Sequence, residues 1–165
     1  MLNAENVSTV DRLYDELNKG NVDIIDEIIV PSFIPHGEAM GLDTSASDRR
    51  ESIKQGLMWA RGIFPDLTVT IEDTISEGDK VVCRLTYHGT QTGSVENIPA
   101  TGREVVFSAI AINRFTGGKI VERWFNSDEL GMMRQMGLIR PPKGTKRDAL
   151  NFQLMHRRQS HVRRE

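Results

Sequence analysis

The chain has 165 residues, of which 38% are hydrophobic and 27% charged, a balance typical of a globular protein with one core. Its apolar runs are far shorter than the roughly 20 residues that cross a bilayer, so we expect no membrane segment. The N-terminal segment carries acids and amides where a secretory signal is basic and then apolar, which favours a cytoplasmic protein.

Helical periodicity dominates the first part of the chain. Apolar residues recur every three or four positions over 4–19 and again over 22–29, where a proline follows. A third stripe runs to residue 64, and Ser47 or Asp48 can cap its start. The sequence therefore predicts three helices, each with one buried face.

Extended structure is predicted between the helices and in the second half. Residues 32–36 are bounded by prolines and predict an edge strand, followed by a polar loop over 37–47 that is expected to shape a pocket mouth. From residue 67 the period changes to two, and turn residues separate four strands. The first strand is predicted from Leu67 to a turn over 77–79, the next two over 80–90 and 103–115, and the last from a turn over 116–119 to about Ser127. Helices followed by hairpin-linked strands indicate an α+β fold with the helices on one face of a curved sheet.

The last predicted strand carries an unusual mixture of side chains. Strict alternation puts one set on a common face: Ile120, Glu122, Trp124 and Asn126, with Asp128 just beyond. The other face would then hold Val121, Arg123, Phe125 and Ser127. Apolar walls with a few polar groups are typical of small-molecule pockets, so we expect the first set to line a cavity.

Asp128 admits two interpretations. It precedes a helical pattern over 129–136, a position typical of an N-cap. A carboxyl group beside a tryptophan in a pocket is also typical of a general acid or base. The residues by themselves leave both roles open.

Other motifs for catalysis are missing from the sequence. The four histidines lack metal-ligand spacing, so we expect no metal site. The single cysteine, Cys83, lies in an apolar strand and predicts a buried structural residue. There is no glycine-rich nucleotide motif and no G-x-S-x-G nucleophile motif.

A basic tail closes the chain. Residues 140–165 hold eight Lys or Arg residues against two acids, on an otherwise acidic body. A tail with the single aromatic Phe152 is weak evidence for nucleic-acid binding. We expect a solvated extension, or one that packs on a neighbouring subunit, and no nucleic-acid partner.

Three segments in the same order resemble SnoaL-like polyketide cyclases, also called ester cyclases, of the NTF2-like superfamily. They are FPDLTVTIEDTISEGDKVVCRLTYHGTQTG, NIPATGREVVFSAIAINRF and GGKIVERWFNSDELGMMRQMGL. The similarity spans about residues 5–139. It implies one domain over 1–139, with 140–165 as an extension rather than a second domain.

The resemblance implies a cone-shaped α+β barrel in which N-terminal helices pack on a strongly curved, mostly antiparallel sheet. It also implies a deep hydrophobic pocket, a homodimer or higher homo-oligomer, and neither metal nor organic cofactor. In the polyketide cyclases an aspartate at the end of the last strand is the acid/base of an intramolecular aldol closure, and Asp128 stands at the matching position. His36 matches a recurrent family histidine and is expected to assist it.

The expected substrate-binding residues come from the predicted pocket strands and the third helix. They are Trp124, Glu122, Asn126, Arg84, His88, Trp59 and Phe107. Two positions depart from the family pattern: Phe125 replaces an acid after the tryptophan, and Gln91 replaces a histidine in a G-T-H-T-G turn.

Three functions remain open from the sequence. The first is cofactor-free acid/base cyclisation of a hydrophobic polycarbonyl substrate. The second is a dehydratase, isomerase or epoxide-hydrolase type of reaction, in which Asp128 acts with His36, Arg84 or His88. The third is a small-ligand-binding module without activity, which the missing acid at Phe125 favours.

Overall fold

The computed structural model describes residues 2–36, 48–95 and 99–139. Within these ranges the chain forms four helices and five strands. They are, in chain order, α1 (Leu2–Asn18), α2 (Ile24–Ile28), β1 (Ile29–His36), α3 (Arg49–Ile63), β2 (Thr68–Glu77), β3 (Lys80–Thr90), β4 (Glu104–Thr116), β5 (Lys119–Ser127) and α4 (Glu129–Met136). The expected loop over 37–47 and the basic tail over 140–165 lie outside the described residues.

The strands form one curved sheet in the order β1-β5-β4-β3-β2. Three of the four neighbouring pairs are antiparallel, and only β1 pairs with β5 in parallel. The expected cone-shaped α+β architecture is thus confirmed, with the correction that the sheet does not close into a barrel. Strand β1 carries Pro31 and Pro35, which have no backbone N–H to donate, and this fits its position at the edge of the sheet.

The helices pack on one face of the sheet, here called the inner face. Antiparallel pairing puts Val81, Cys83 and Leu85 of β3 opposite Asn113, Ala111 and Ala109 of β4, and all six are nearly inaccessible to solvent. Helices α1 and α2 cover this face with Val10, Leu13, Ile24, Ile25 and Ile28. Burial of Cys83 confirms its structural assignment.

A β-bulge in β5 overturns one expectation from the sequence. Phe115 pairs with Ile120, but the next pair is Arg114 with Glu122, so Val121 is an extra residue on β5. Residues of β5 after the bulge therefore lie on the opposite face from the one that strict alternation from Ile120 predicts. Ile120 is therefore buried on the inner face, whereas Glu122 pairs with Arg114 on the opposite, outer face.

The same bulge reassigns the rest of the strand. Arg123 and Phe125 pair with Asn113 and Ala111, and Ser127 pairs with Ala109, so these three belong to the inner face. Trp124 and Asn126 pair with Ile112 and Ile110 and belong to the outer face. The prediction that Ile120, Glu122, Trp124 and Asn126 share one face was therefore wrong. It assumed strict alternation along β5, and the inserted residue Val121 breaks that alternation.

Helix α4 begins and ends with capping interactions. The Asp128 side chain accepts a hydrogen bond from the Gly131 amide, and Gly137 ends the helix with φ of 81°. Its apolar residues Met132 and Met136 pack with Ile63 and Phe64 at the end of α3. Among the described helices none is long and apolar enough to span a membrane.

Candidate active site

An aromatic wall occupies the inner face of the sheet. Tyr87 of β3 and Phe107 of β4 stack with ring centroids 5.1 Å apart, and Phe125 of β5 meets Tyr87 edge-on at 6.4 Å. All three side chains are half-buried. Such rings offer flat apolar surface to a conjugated ligand. Phe107 is thus one predicted substrate-binding residue that the structure does put on the inner face.

Arg123 lies in the middle of this wall. Its guanidinium carbon lies 4.8 Å from the Phe125 ring centroid, and Nη2 donates a 2.8 Å hydrogen bond to the Tyr14 hydroxyl of α1. Stacking on an aromatic face and donating from a planar fork are both characteristic of arginine. Helix α1 and the aromatic wall therefore both contact the positive charge of Arg123 on β5.

The two tyrosines around Arg123 are held in their neutral form. Burial raises the pKa of Tyr14 far above its usual range, against the opposing effect of the Arg123 charge. Burial also raises the pKa of Tyr87. Both phenols consequently keep their protons at any physiological pH and can act as hydrogen-bond donors.

A cleft between α1 and α3 reaches the same tyrosines. Its volume is about 40 Å³, and its lining includes Tyr14, Leu17, Leu57, Leu67 and Tyr87. The space is far smaller than the roughly 300 Å³ or more of a pocket for a drug-sized ligand. Arg61 of α3 donates to the carbonyl oxygen of Leu17 and links the two helices at this cleft.

Asp128 directly follows inner-face Ser127 at the end of β5. One carboxylate oxygen, Oδ1, accepts a 2.8 Å hydrogen bond from the Gly131 amide, while Oδ2 makes no hydrogen bond to any described residue. The N-cap interpretation is therefore correct. The acid/base interpretation is compatible with it, because the cap occupies only one of the two oxygens.

His36 belongs to a cluster on the outer face. Its Nε2 lies 2.6 Å from Oε1 of Glu122, and its ring stacks on Trp124 with centroids 4.7 Å apart. Glu122 also accepts from Arg114. His36 pairs with Trp124, and at about 3.3 Å per residue Asp128 lies roughly 13 Å further along the strand. The structure does not bring His36 and Asp128 together.

The remaining predicted site residues also lie away from the inner face. Arg84 and His88 share the outer-face parity of β3, and His88 pairs with Glu104. Asn126 is exposed on the same face, and Trp59 of α3 is 39% exposed. Within the described parts of the chain, no group of three or more His, Cys, Asp or Glu side chains could hold a metal ion.

Sequence reasoning missed the residues that converge on the inner face. Strict alternation predicts Arg123 and Phe125 on the face away from the pocket, and no motif singles out Tyr14 or Tyr87. Only Tyr87 had a signal in the sequence, because it shares strand parity with the apolar residues Cys83 and Leu85. The contact between Tyr14 and Arg123 spans 109 positions, and no local pattern reports it.

The sequence matches the model of the SnoaL-like polyketide cyclase family over residues 8–136. The chain belongs to this family. Among curated relatives, aklanonic acid methyl ester cyclase DauD from Streptomyces sp. strain C5 is 27% identical over 133 residues, which cover 79% of this chain and 81% of DauD.

Solved structures support the same assignment. TsrD from Streptomyces laurentii superposes with a TM-score of 0.72 at 26% identity, covering 82% of this chain and 97% of TsrD. IdmH from Streptomyces antibioticus gives a TM-score of 0.71 at 29% identity, covering 80% of this chain and 98% of IdmH.

The two departures from the family pattern now have structural descriptions. Phe125, in place of an acid, forms part of the aromatic wall and supports the Arg123 guanidinium. Gln91 is fully buried: its amide donates to the Gly93 carbonyl at 3.0 Å, and its oxygen accepts from Thr101. Gln91 thus joins the two ends of the loop between β3 and β4.

Proposed function

We propose that this protein catalyses a cofactor-free, intramolecular aldol-type cyclisation of a hydrophobic polycarbonyl substrate, with Asp128 as the acid/base. The observation that carries the proposal is the Asp128 carboxylate, which directly follows the last residue of β5, is exposed, and keeps Oδ2 outside the cap. Membership of the cyclase family and the aromatic wall of Tyr87, Phe107 and Phe125 support it.

The proposed reaction needs only proton transfer and positioning. Asp128 removes a proton from a carbon between two carbonyl groups, and the resulting enolate attacks a second carbonyl of the same molecule. One C–H bond breaks and one C–C bond forms, and the alkoxide takes up a proton from the protonated Asp128. Product and substrate are isomers, so no co-reactant is required. Holding both reacting groups together can supply a large part of the rate enhancement.

Turnover of a polyketide ester tests this reaction. Aklanonic acid methyl ester is a suitable first substrate, because the relative DauD is named for it. We expect a product of unchanged mass and altered chromatographic retention. Asp128→Asn should lower turnover about 100-fold or more, since positioned acid/base groups contribute on that scale.

Two further variants separate chemistry from capping. Asn caps helices about as well as Asp, so Asp128→Asn should melt like the wild type, whereas Asp128→Ala should lose about 0.5–2 kcal/mol of stability. Glu104→Gln, which removes an exposed carboxylate on the outer face, should retain full turnover. An active, stable Asp128→Asn variant would contradict the proposed role.

A binding module without turnover is the second candidate. Phe125, an aromatic residue where the family pattern has an acid, favours it. Saturable ligand binding with no isomeric product, for wild type and Asp128 variants alike, would select this function over the cyclase.

We also propose that the protein self-associates through the outer face of its sheet. This face exposes apolar side chains in the described residues, among them Ile110 at 52% and Val106 at 41%. It carries charges of both signs, including Arg84 and Glu104. Two copies related by a twofold axis need a patch that complements itself, and a face with both signs satisfies that need.

A further inference from the structure

The inner face holds a positive charge that has no acidic partner among the described residues. Arg123 takes part in none of the ion pairs found between them. Its Nε is buried and makes no hydrogen bond there. Arg123 as a whole is half-buried, and burying part of a guanidinium without a counter-charge costs free energy, so the unpaired Nε calls for an explanation.

The groups that do contact Arg123 cannot neutralise it. Tyr14 accepts from its Nη2, and Tyr87 is a second neighbour, whose pKa the Arg123 charge lowers against the effect of burial. Burial raises the pKa of both phenols, so neither becomes a phenolate. The result is a positive charge and two neutral hydroxyl groups in one apolar, aromatic surrounding.

A second unsatisfied group lies beside the first. Asn113 of β4 is 0% exposed, and neither its Nδ2 nor its Oδ1 has a hydrogen-bond partner in the part of the chain that the structure describes. It is the cross-strand partner of Arg123 on the inner face, which puts the two Cβ atoms about 5 Å apart. A buried carboxamide with both ends unpaired is destabilising, which a protein rarely tolerates without a use.

We propose that Arg123 and Asn113, with the Tyr14 and Tyr87 hydroxyls, form a subsite for an oxyanion carried on a flat conjugated ring. The oxyanion is an enolate, a phenolate or a carboxylate, and it supplies the negative charge and the acceptor that these donors lack. The ring lies against the aromatic wall of Tyr87, Phe107 and Phe125. This inference rests on the proposed function for the assumption that the ligand enters the inner side of the sheet.

The surroundings of the subsite fit this ligand class. The cleft between α1 and α3 is lined by Tyr14 and Tyr87, so it approaches the donors that Arg123 contacts. Arginine keeps its charge at any physiological pH and presents planar donors, which suits a planar oxyanion. In a cyclisation the same donors would stabilise an enolate oxygen as charge develops on it.

A matched pair of probes tests the charge preference. 2-Hydroxy-1,4-naphthoquinone is an acidic enol that is ionised at neutral pH, and its methyl ether, 2-methoxy-1,4-naphthoquinone, cannot ionise. Calorimetric titration of the full-length protein should give an affinity about tenfold or more tighter for the hydroxy compound. Equal affinity, or binding of neither compound, would overturn the subsite, because the unpaired groups would then hold buried water only.

Substitutions assign the preference to particular side chains. Arg123→Gln should abolish it by weakening the hydroxy compound about tenfold while leaving the methoxy compound unchanged. Arg134→Gln, which removes an exposed arginine on α4, should bind both compounds as the wild type does. A preserved preference in Arg123→Gln overturns the assignment.

The Asn113→Leu variant tests the subsite even if the protein does not fold without Arg123. Leucine has a similar shape and no polar atoms, so the thermal midpoint should rise while affinity for the hydroxy compound falls several-fold. A rise in stability together with a loss of binding is the signature of a group retained for its ligand. Unchanged affinity in Asn113→Leu would overturn its place in the subsite.

The binding measurement is independent of turnover. A selective subsite in a protein that cyclises no substrate would refute the proposed reaction and leave the subsite in place. Cyclisation that survives in Arg123→Gln, with no charge preference in the wild type, would refute the subsite and leave the reaction in place.

Discussion

At the residue scale, Asp128 and Gly131 work as a pair. Asp128 caps α4 through the Gly131 amide, and the carboxylate lies so close to the Gly131 Cα that a Cβ added there would be 2.1 Å from Oδ2. The missing side chain at Gly131 therefore makes room for the oxygen that the proposed chemistry uses. A glycine inside a short helix would otherwise be a poor choice.

Two glycine substitutions test this arrangement. Gly131→Ala should displace the Asp128 carboxylate, lower the thermal midpoint and reduce cyclisation or ligand binding. Gly62→Ala is the matched control, because a Cβ at this position of α3 meets nothing within 4 Å. That control should gain about 0.4–1 kcal/mol from the reduced freedom of the unfolded chain. Thermal melts that rise equally for both variants would contradict the tight contact at Gly131.

At the scale of elements, the outer-face cluster holds β1 to β5. The parallel pairing of these two strands is short and irregular, and His36, Glu122 and Trp124 link them through a hydrogen bond and a ring stack. The Glu122 side chain is only 14% exposed. The hydrogen bond from His36, together with the one from Arg114, lowers the pKa of Glu122 below its usual range.

This cluster predicts a pH dependence of stability. Because the pKa of Glu122 is lower in the folded than in the unfolded protein, its carboxylate stabilises the fold above the unfolded value of 4.5. That contribution is lost as the pH falls through the lower, folded value. The thermal midpoint of wild type should exceed that of Glu122→Gln at neutral pH, and the difference should shrink below pH 4.5.

A second variant identifies the hydrogen bond as the cause. His36→Phe keeps a ring for Trp124 to stack on and removes the donor, so its midpoint should follow the same trend as Glu122→Gln. Melting curves that stay parallel to the wild type over the whole pH range would refute the linkage.

At the scale of the whole molecule, the sheet has one covered face and one open face. The described helices all pack on the inner side, and the central strand β4 leaves Ile110 about half exposed on the other. An uncovered apolar sheet face is typical of a protein–protein contact. The proposed self-association would bury it.

Ile110→Lys should break this association. A charge at the centre of a buried apolar contact is costly, so the mass measured by light scattering should fall to that of one chain. Met58→Lys is the control, because Met58 has the same 52% exposure but lies on α3, on the opposite side of the molecule. Unchanged mass in Ile110→Lys, or a wild type that is a single chain at every concentration, would contradict the proposal.

Local patterns in the sequence were sufficient to predict the helices and strands. The period-two segments predicted β2 to β5 to within a few residues, and the cap at Asp128 marked the start of α4. The family resemblance added the cone-shaped architecture, which the sheet order bears out except for closure. The side chains of the candidate site were predicted poorly, because one inserted residue, Val121, exchanged the two faces of β5.

The sequence by itself determined what depends on neighbours in the chain: periodicity, turns, caps and the family motifs. Only the tertiary structure decided which face of β5 meets the helices, because the bulge at Val121 is a property of its pairing with β4. It also decided that Arg123 meets Tyr14 of α1 and Asn113 of β4. Contacts between residues far apart in the chain arise when the sheet folds against the helices, and no local period encodes them.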